Sequence, residues 1–159
     1  MVAVVTIKNP VDNGKCSAVA STAGGGTQSR KVVGTRKGGI RLLVCGSRDF
    51  DQFDFMHSIL VTYFKHNSVE VLIHGGAKGA DSMAGGIAKW FGIPTDVYPA
   101  DWKKHGKAAG PVRNRYMLEM SRPTHAMAFF NKVKTPGTTD MVKLLDEAGI
   151  PVQVYGLEY

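Results

Sequence analysis

Four short segments of the sequence combine glycine with charged or hydroxyl-bearing side chains, which are the residue types that bind phosphate. They are residues 46–50, 74–81, 109–114 and 136–140. Glycine lets a backbone approach an anion closely, amides at a helix start donate to it, and arginine offers a planar fork of donors. The pattern therefore predicts a site for a phosphate-bearing ligand.

The second segment places three glycines in five positions before a helical pattern. We predict that Gly75, Gly76 and Gly79 let this loop present free N–H groups to an anion, with Lys78 adding charge. The loop is neither a Walker A motif nor G-x-G-x-x-G, so the motif does not name the ligand. Asp81 either complements the helix dipole or takes part in chemistry.

The first segment follows an apolar run that ends in Gly46-Ser47-Arg48. Gly46 permits a tight turn, Ser47 offers a hydroxyl and Arg48 offers a fork for phosphate or carboxylate. A capped helix start with an exposed arginine explains the same residues equally well. Both interpretations stay open at this point.

The third segment ends an extended stretch, residues 99–114, that the pattern predicts as a long loop of the kind that is often functional. A helix is predicted to begin at Pro111, which puts Arg113 and Asn114 in its first turn. An arginine there opposes the helix dipole unless an anion is present, which favours a binding role. Other basic residues of the stretch are Lys103, Lys104 and Lys107.

The last segment and one aromatic residue complete the candidate site. Gly137 and Thr138 offer backbone and hydroxyl donors at a helix start, and Asp140 either binds a ribose hydroxyl or stabilises positive charge on a sugar. As an alternative, Asp140 completes a helix-start pattern. Trp102 is equally explained as a stacking surface for a base or as core filler.

Strands alternating with helices must position these segments. Apolar runs predict strands at residues 40–45, 69–74, 94–98, 125–130 and 151–155, and helical spacing predicts helices at 56–64, 80–91, 111–121 and 138–148. We expect Asp49 or Asp51 to cap the first helix. The fold class is α/β, a Rossmann-like doubly wound parallel sheet of about five strands with helices on both faces. Such sheets bind ligands at the carboxyl ends of their strands.

The basic charge of the chain is concentrated before this domain. The net charge is +7, of which residues 1–40 contribute +5, and residues 1–39 hold 7 of the 19 glycines. We predict a flexible basic Gly/Ser-rich leader over residues 1–39, with one possible strand at 2–7, and a Rossmann domain over 40–159. The leader is either a solvated tail, which we favour, or an arm for nucleic acid.

Several function classes are excluded or disfavoured by composition. No apolar run is long enough to cross a bilayer, so we expect no membrane contact. Cys16 and Cys45 do not make a disulfide framework, and no secretory signal pattern is present, so we expect a cytoplasmic protein. The histidines and cysteines lack paired metal-ligand spacing, and no G-x-S-x-G elbow occurs. We expect neither a metal nor a cofactor.

Taken together, the four segments resemble the YspA-like branch of the SLOG superfamily, which also contains the Lonely Guy (LOG) phosphoribohydrolases and the DNA-processing protein DprA/Smf. The resemblance covers roughly residues 40–156 and implies a Rossmann-like domain for nucleotides or nucleotide-derived ligands. In LOG enzymes a Pro-Gly-Gly-x-Gly-Thr-x-x-Glu motif and an upstream arginine support cleavage of an N-glycosidic bond. Arg113 matches that arginine, whereas Met141 stands where the motif has glutamate and Asp140 lies one position earlier.

Three functions follow as alternatives. The first is binding of a nucleotide-derived small molecule, to sense, sequester or process it, and it needs the glycine loops with Ser47, Arg48, Lys78, Arg113 and Thr138. The second is hydrolysis of a ribosyl–base bond, with Asp140, Arg113 and Asp81 as catalytic candidates. The third is DprA-like binding of single-stranded nucleic acid through the leader, which ranks last because residues 41–159 carry only +2. The resemblance also implies a homo-oligomer.

Overall fold

The computed structural model describes residues 3–8, 38–131 and 135–157, which form one six-stranded sheet with helices on both faces. The strands are β1 (Ala3–Lys8), β2 (Ile40–Gly46), β3 (Val69–His74), β4 (Thr95–Val97), β5 (His125–Phe129) and β6 (Val152–Leu157). Their order across the sheet is β1-β6-β5-β2-β3-β4. Strands β2 to β6 are parallel to their neighbours, whereas β1 pairs antiparallel to β6. The predicted α/β fold with five parallel strands is confirmed.

Helices connect consecutive parallel strands. They are α1 (Phe53–His66), α2 (Ala80–Trp90), the short α3 (Trp102–His105), α4 (Ala109–Ser121) and α5 (Pro136–Glu147), and a single 3₁₀ turn, Gly106–Ala108, separates α3 from α4. Helices α2 and α5 end where glycines with positive φ, Gly92 and Gly149, turn the chain. None of the described helices is long and apolar enough to cross a membrane.

The sheet is buried on both faces because successive side chains of a strand point to opposite sides. In β2, Leu42 and Val44 join one core cluster, which contains residues of α1 and α2, while Leu43 and Cys45 join a second cluster, which contains residues of α4 and α5. This is why residues 42–45 of β2 form a continuous apolar run rather than an alternating one. Each of its fully buried leucines contributes about 1.5–3 kcal/mol of hydrophobic stabilisation.

The position of a ligand cleft follows from the strand order. Strand β2 lies between β3 and β5; the chain that leaves β2 enters α1 on one face of the sheet, whereas the chain that leaves β5 enters α5 on the other face. Connections that diverge from neighbouring strands open a crevice at their carboxyl ends. The crevice therefore lies at the end of β2, between the β3–α2 connection and the start of α5.

Two local predictions were wrong. Helix α1 begins after Gln52, whose side chain donates to Asp51, so neither Asp49 nor Asp51 caps it. Residues 99–114 are not a long loop, because the Asp101 carboxylate accepts from the backbone N–H of Lys104 at 3.0 Å and starts α3. Helix α4 then begins two residues before Pro111.

Strand β1 lies within the segment predicted to be a leader and coincides with the strand pattern noted at residues 2–7. The remainder of the predicted leader, including Cys16, lies outside the described residues. Division of the chain into a leader and a domain at residue 40 stays a prediction, as does the oligomeric state.

Candidate functional site

Two adjoining cavities lie at the carboxyl ends of the parallel strands. The large cavity, about 680 Å³, is bounded by the end of β2, by α4 from Gly110 to Met117 and by the start of α5. The small cavity, about 440 Å³, lies beside the β3–α2 loop and is lined by Gly75, Gly76, Lys78, Pro99 and Ala100. Four residues line both cavities and form the wall between them: Arg48, Ala77, Trp102 and Arg113.

Arg113 is the best-anchored cation of the site. One guanidinium nitrogen, Nη1, donates to the carbonyl oxygens of Gly75 at 2.6 Å and Tyr98 at 3.2 Å, and Nε donates to Oδ1 of Asn114 at 3.0 Å. The side chain thus ties α4 to the ends of β3 and β4. These carbonyls offset the cost of a buried cation. Because α4 begins at Ala109, Arg113 and Asn114 lie in its second turn and not in the predicted first turn, where the helix dipole would act most strongly. Burial nevertheless lowers the pKa of Arg113, with the Arg48 charge acting in the same direction.

Asn114 links Arg113 to Asp140. Its amide nitrogen donates to Oδ2 of Asp140 at 3.0 Å and to the carbonyl oxygen of Gly137 at 3.3 Å. A guanidinium only donates and a carboxylate only accepts, so the two neighbours fix which end of the amide faces each of them. Asn114 is only 4% exposed. It therefore acts on the site mainly by holding Arg113 and Asp140 in place.

The glycine loop between β3 and α2 is closed on the protein's own acceptors. The amides of Gly75 and Ala77 donate to Oδ2 of Asp81, at 2.9 and 3.5 Å, and the amide of Gly76 donates to Nδ1 of His74 at 3.0 Å. The prediction that this loop points free N–H groups at a ligand anion is therefore wrong for these three amides. Gly75 and Ala77 bind the Asp81 carboxylate instead, and Gly76 binds the His74 ring.

Two further predicted binding residues of this region serve packing. Ser47 is fully buried, its backbone carbonyl accepts from Phe50 and Ala80, and its hydroxyl accepts from the Asn131 amide at 3.4 Å. Gly79 has φ +78° and lies so close to the carbonyls of Ser47 and Arg48 that no Cβ fits. Neither residue lines a cavity.

Gly46 and Gly75 are also required by close contacts. A Cβ at Gly46 would collide with the Phe129 carbonyl and the Ala80 methyl group, and one at Gly75 would collide with the Arg113 guanidinium. Both glycines nevertheless reach a cavity surface with their backbones. Their first function is to let strand ends and helices approach one another.

The start of α5, unlike the glycines at the ends of β2 and β3, is exposed and loosely packed. Gly137 is exposed, and a Cβ there would meet nothing within 4 Å. Thr138 is buried, lines the large cavity and accepts from the hydroxyl of Thr135 at 3.0 Å. The first turn of a helix has N–H groups without intrahelical acceptors, together with the positive end of the helix dipole. This part of the large cavity is thus suited to an anion.

Arg48 and Trp102 form the outer part of the shared wall. The Arg48 guanidinium lies 4.9 Å from the centre of the Trp102 ring, within the range of a cation–π interaction. Trp102 is 48% exposed, so its interpretation as core filler is wrong. Lys107 lines the large cavity and Lys78 the small one, whereas Lys103 and Lys104 line neither.

Burial shifts the pKa values of the titratable groups under this wall. Desolvation raises the pKa of Asp81 to about 6, although Arg113, the amides of Gly75 and Ala77, and Arg48 all oppose the shift. Burial lowers the pKa of His74, and the Lys89 and Arg113 charges act in the same direction. Burial also raises the pKa of Cys45, which keeps this thiol protonated.

Sequence reasoning missed His74 and Tyr98 as parts of the site. His74 carries the acceptor that orders the glycine loop, and the Tyr98 carbonyl receives Arg113. A histidine at the last position of a buried strand, directly before two glycines, was a usable signal for the first. The second is a backbone group, which no residue type reveals. Within the described ranges, no three His, Cys, Asp or Glu side chains converge as metal ligands.

The chain is similar in sequence to one protein family and to a phage protein. The sequence profile of the YspA, cpYpsA-related SLOG family matches residues 40–105. The Gene 61 protein of Mycobacterium phage D29 is 32% identical over 123 residues, which are 73% of this chain and 96% of the phage protein. The chain belongs to the YspA, cpYpsA-related SLOG family.

SLOG membership points to a nucleotide-related ligand and fits the position of the two cavities. The profile covers β2, the glycine loop and α3, so it includes Arg48, Asp81 and Trp102. It ends before α4 and α5, so Arg113 and Asp140 rest on the geometry alone. No solved structure matches this SLOG chain.

Proposed function

We propose that the chain binds a nucleotide or nucleotide-derived ligand in the large cavity, with a phosphate between the start of α5 and the two arginines. The observation that carries this proposal is the convergence of Gly137, Thr138, Arg48 and Arg113 on one cavity. Two guanidinium groups and a helix N-terminus are the groups that bind phosphate best. The loop between β3 and α2 is a poorer phosphate site, because its Gly75 and Ala77 amides already donate to Asp81.

The remainder of a nucleotide fits the other walls of the cavity. The Arg48–Trp102 pair presents a flat cationic surface, on which a base can stack. Asp140 is held by Asn114 beside the start of α5, where a carboxylate can accept from ribose hydroxyls. A volume of about 680 Å³ lies within the range of small-molecule sites.

Titration calorimetry with AMP tests the proposal, using Arg48→Gln and the matched control Arg115→Gln. Both arginines are exposed, so each change removes one charge at little cost to folding, but only Arg48 lines the cavity. A hydrogen bond to a charged group contributes about 1.5–3 kcal/mol, so we expect Arg48→Gln to weaken AMP binding at least tenfold. Arg115→Gln is expected to leave the affinity unchanged. Equal effects of the two changes, or no binding of AMP, ADP or ADP-ribose, would contradict the proposal.

A second candidate function is hydrolysis of the N-glycosidic bond of a bound nucleotide. The observation that favours it is the orientation of Asp140, whose carboxylate Asn114 fixes in the same cavity as Arg113. The transition state of this reaction is oxocarbenium-like, and a fixed carboxylate stabilises it. Asp81 is a weaker catalytic candidate, because it is 4% exposed and already accepts from two amides.

Product analysis separates the two functions. AMP is incubated with the protein and the mixture is separated by chromatography, so that adenine and ribose phosphate report cleavage. If the protein is a hydrolase, Asp140→Asn abolishes product formation but keeps AMP binding, because Asn114 can still donate to the new amide oxygen. Asp54→Asn, on the exposed side of α1, is the control. Recovery of intact AMP would leave binding as the function of the site.

A further inference from the structure

The small cavity is not needed for a mononucleotide, which the large cavity can hold alone. Its volume, about 440 Å³, is itself within the range of small-molecule sites. Four residues line both cavities, so the two cavities adjoin there and a ligand bound against these residues has a cavity on either side.

The lining of the small cavity disfavours a phosphate deep inside it. The amides of Gly75, Gly76 and Ala77 donate to Asp81 and His74, so they are not available to an anion. The lining also contains Pro99 and Ala100, which are small and apolar. Such a surface fits the flat faces of a base or a sugar better than it fits a charged group.

The shared wall has the opposite character. It contains the guanidinium groups of Arg48 and Arg113, and the first of these is stacked on Trp102. Any ligand that enters both cavities must pass these two cations. Two nucleosides joined by a pyrophosphate carry negative charge at the centre of the molecule and a flat base at each end. The charge matches the cationic wall, and the bases match the two cavities beside it.

We propose that the small cavity binds the second nucleoside of a pyrophosphate-bridged dinucleotide, with the bridge against Arg48 and Arg113 and the first nucleoside in the large cavity. This inference rests on the proposed function and specifies its ligand class. Lys78, at the rim of the small cavity, adds a cation beside the second ribose. A mononucleotide would occupy only the large cavity.

Three probes test this assignment by calorimetry: AMP, ADP and diadenosine pyrophosphate. ADP supplies the pyrophosphate without the second nucleoside, so the dinucleotide is expected to bind at least tenfold more tightly than ADP. Ala100→Trp fills the small cavity and should remove that gain while leaving AMP affinity unchanged. Ala108→Trp, which adds the same indole outside both cavities, is the matched control.

Lys78→Gln provides a second variant that does not depend on accommodating a large side chain. It should weaken the dinucleotide severalfold more than AMP, whereas Lys104→Gln should affect neither. If the dinucleotide binds no more tightly than ADP, or if Ala100→Trp weakens AMP equally, the assignment is overturned while the proposed function stands. If none of the three probes binds, the proposed function fails and this inference fails with it.

Discussion

The two glycine-bearing loops of the site look alike in sequence and differ in structure. The β3–α2 loop is packed against its surroundings: Gly75 lies under the Arg113 guanidinium, Gly79 lies against backbone carbonyls, and the amides bind Asp81. The start of α5 is open, and Gly137 has free space where a side chain would be. The glycines of the β3–α2 loop allow close packing within the protein, whereas the start of α5 keeps its N–H donors available to a ligand.

The difference shows that an anion-binding loop can be satisfied from within the chain. Asp81 follows the glycines by a few residues and turns back to accept from Gly75 and Ala77. A carboxylate there takes the place that a ligand phosphate would otherwise occupy. The spacing of glycines therefore predicts that the loop binds an anion, but it does not distinguish a ligand phosphate from a carboxylate of the protein itself.

Adding a methyl group to the packed loop is the strongest test of this comparison. Gly79→Ala places a Cβ against the carbonyls of Ser47 and Arg48 at a φ of +78°. Left-handed strain and overpacking together are expected to lower the free energy of unfolding by about 3 kcal/mol. Urea denaturation followed by circular dichroism measures the loss. An unchanged denaturation midpoint would show that the loop is not packed as described.

The internal anion gives the packed loop a pH dependence. Asp81 has a pKa of about 6 when folded and an ordinary value of 3.8. Between these values the folded protein retains a proton that the unfolded chain has lost, so this group's contribution to stability falls as the pH rises through that window. Ionisation of Asp81 is therefore expected to cost about 1–3 kcal/mol at neutral pH.

Asp81→Asn removes this titration and so isolates it. Relative to the native protein, the variant should be more stable at pH 7 than at pH 4.5: the difference between their unfolding free energies should rise by about 1–3 kcal/mol between these two pH values. Urea denaturation at the two pH values measures the difference, and Asp54→Asn, at an exposed position of α1, is the matched control. His74 acts in the opposite direction, because its lowered pKa removes stability at low pH, but it is common to both proteins and cancels.

Arg113 connects the two loops, so a conservative change should weaken both. Arg113→Lys keeps the charge but cannot donate to Gly75, Tyr98 and Asn114 together. We expect a loss of about 1 kcal/mol in unfolding free energy and at least tenfold weaker AMP binding. Arg115→Lys, on an exposed part of α4, serves as the control in both assays. Normal AMP binding by Arg113→Lys would remove Arg113 from the site.

The smallest change in stability is expected at the open loop, and it has the opposite sign. Gly137→Ala lies in the first turn of α5 with free space around the new methyl group, so it should stabilise the protein by about 0.5–1 kcal/mol. The same methyl group narrows the proposed phosphate site and should weaken AMP binding severalfold. A variant that is less stable than the native protein would show that Gly137, like Gly79, is there for packing.

The elements of the fold could be predicted because their signals are local. The apolar runs at residues 42–45 and 71–73 identify β2 and β3, and helical spacing identifies α1, α2 and α5. What the sequence could not show is which partner each polar group takes across the sheet. Arg113 appeared to conflict with its helix dipole and suggested a ligand, whereas carbonyls from two distant strand ends receive it. The Asn114–Asp140 contact is equally non-local, so the site became visible only through tertiary structure.

The antiparallel pairing of β1 with β6 affects the order in which the sheet can be assembled. Ala3 lies opposite Leu157, so the first described strand has the last described strand as its partner. The five parallel strands therefore have to come together before β1 can dock, and a contact of such long sequence separation forms slowly. Until it docks, β6 presents an unpaired edge that can recruit another chain.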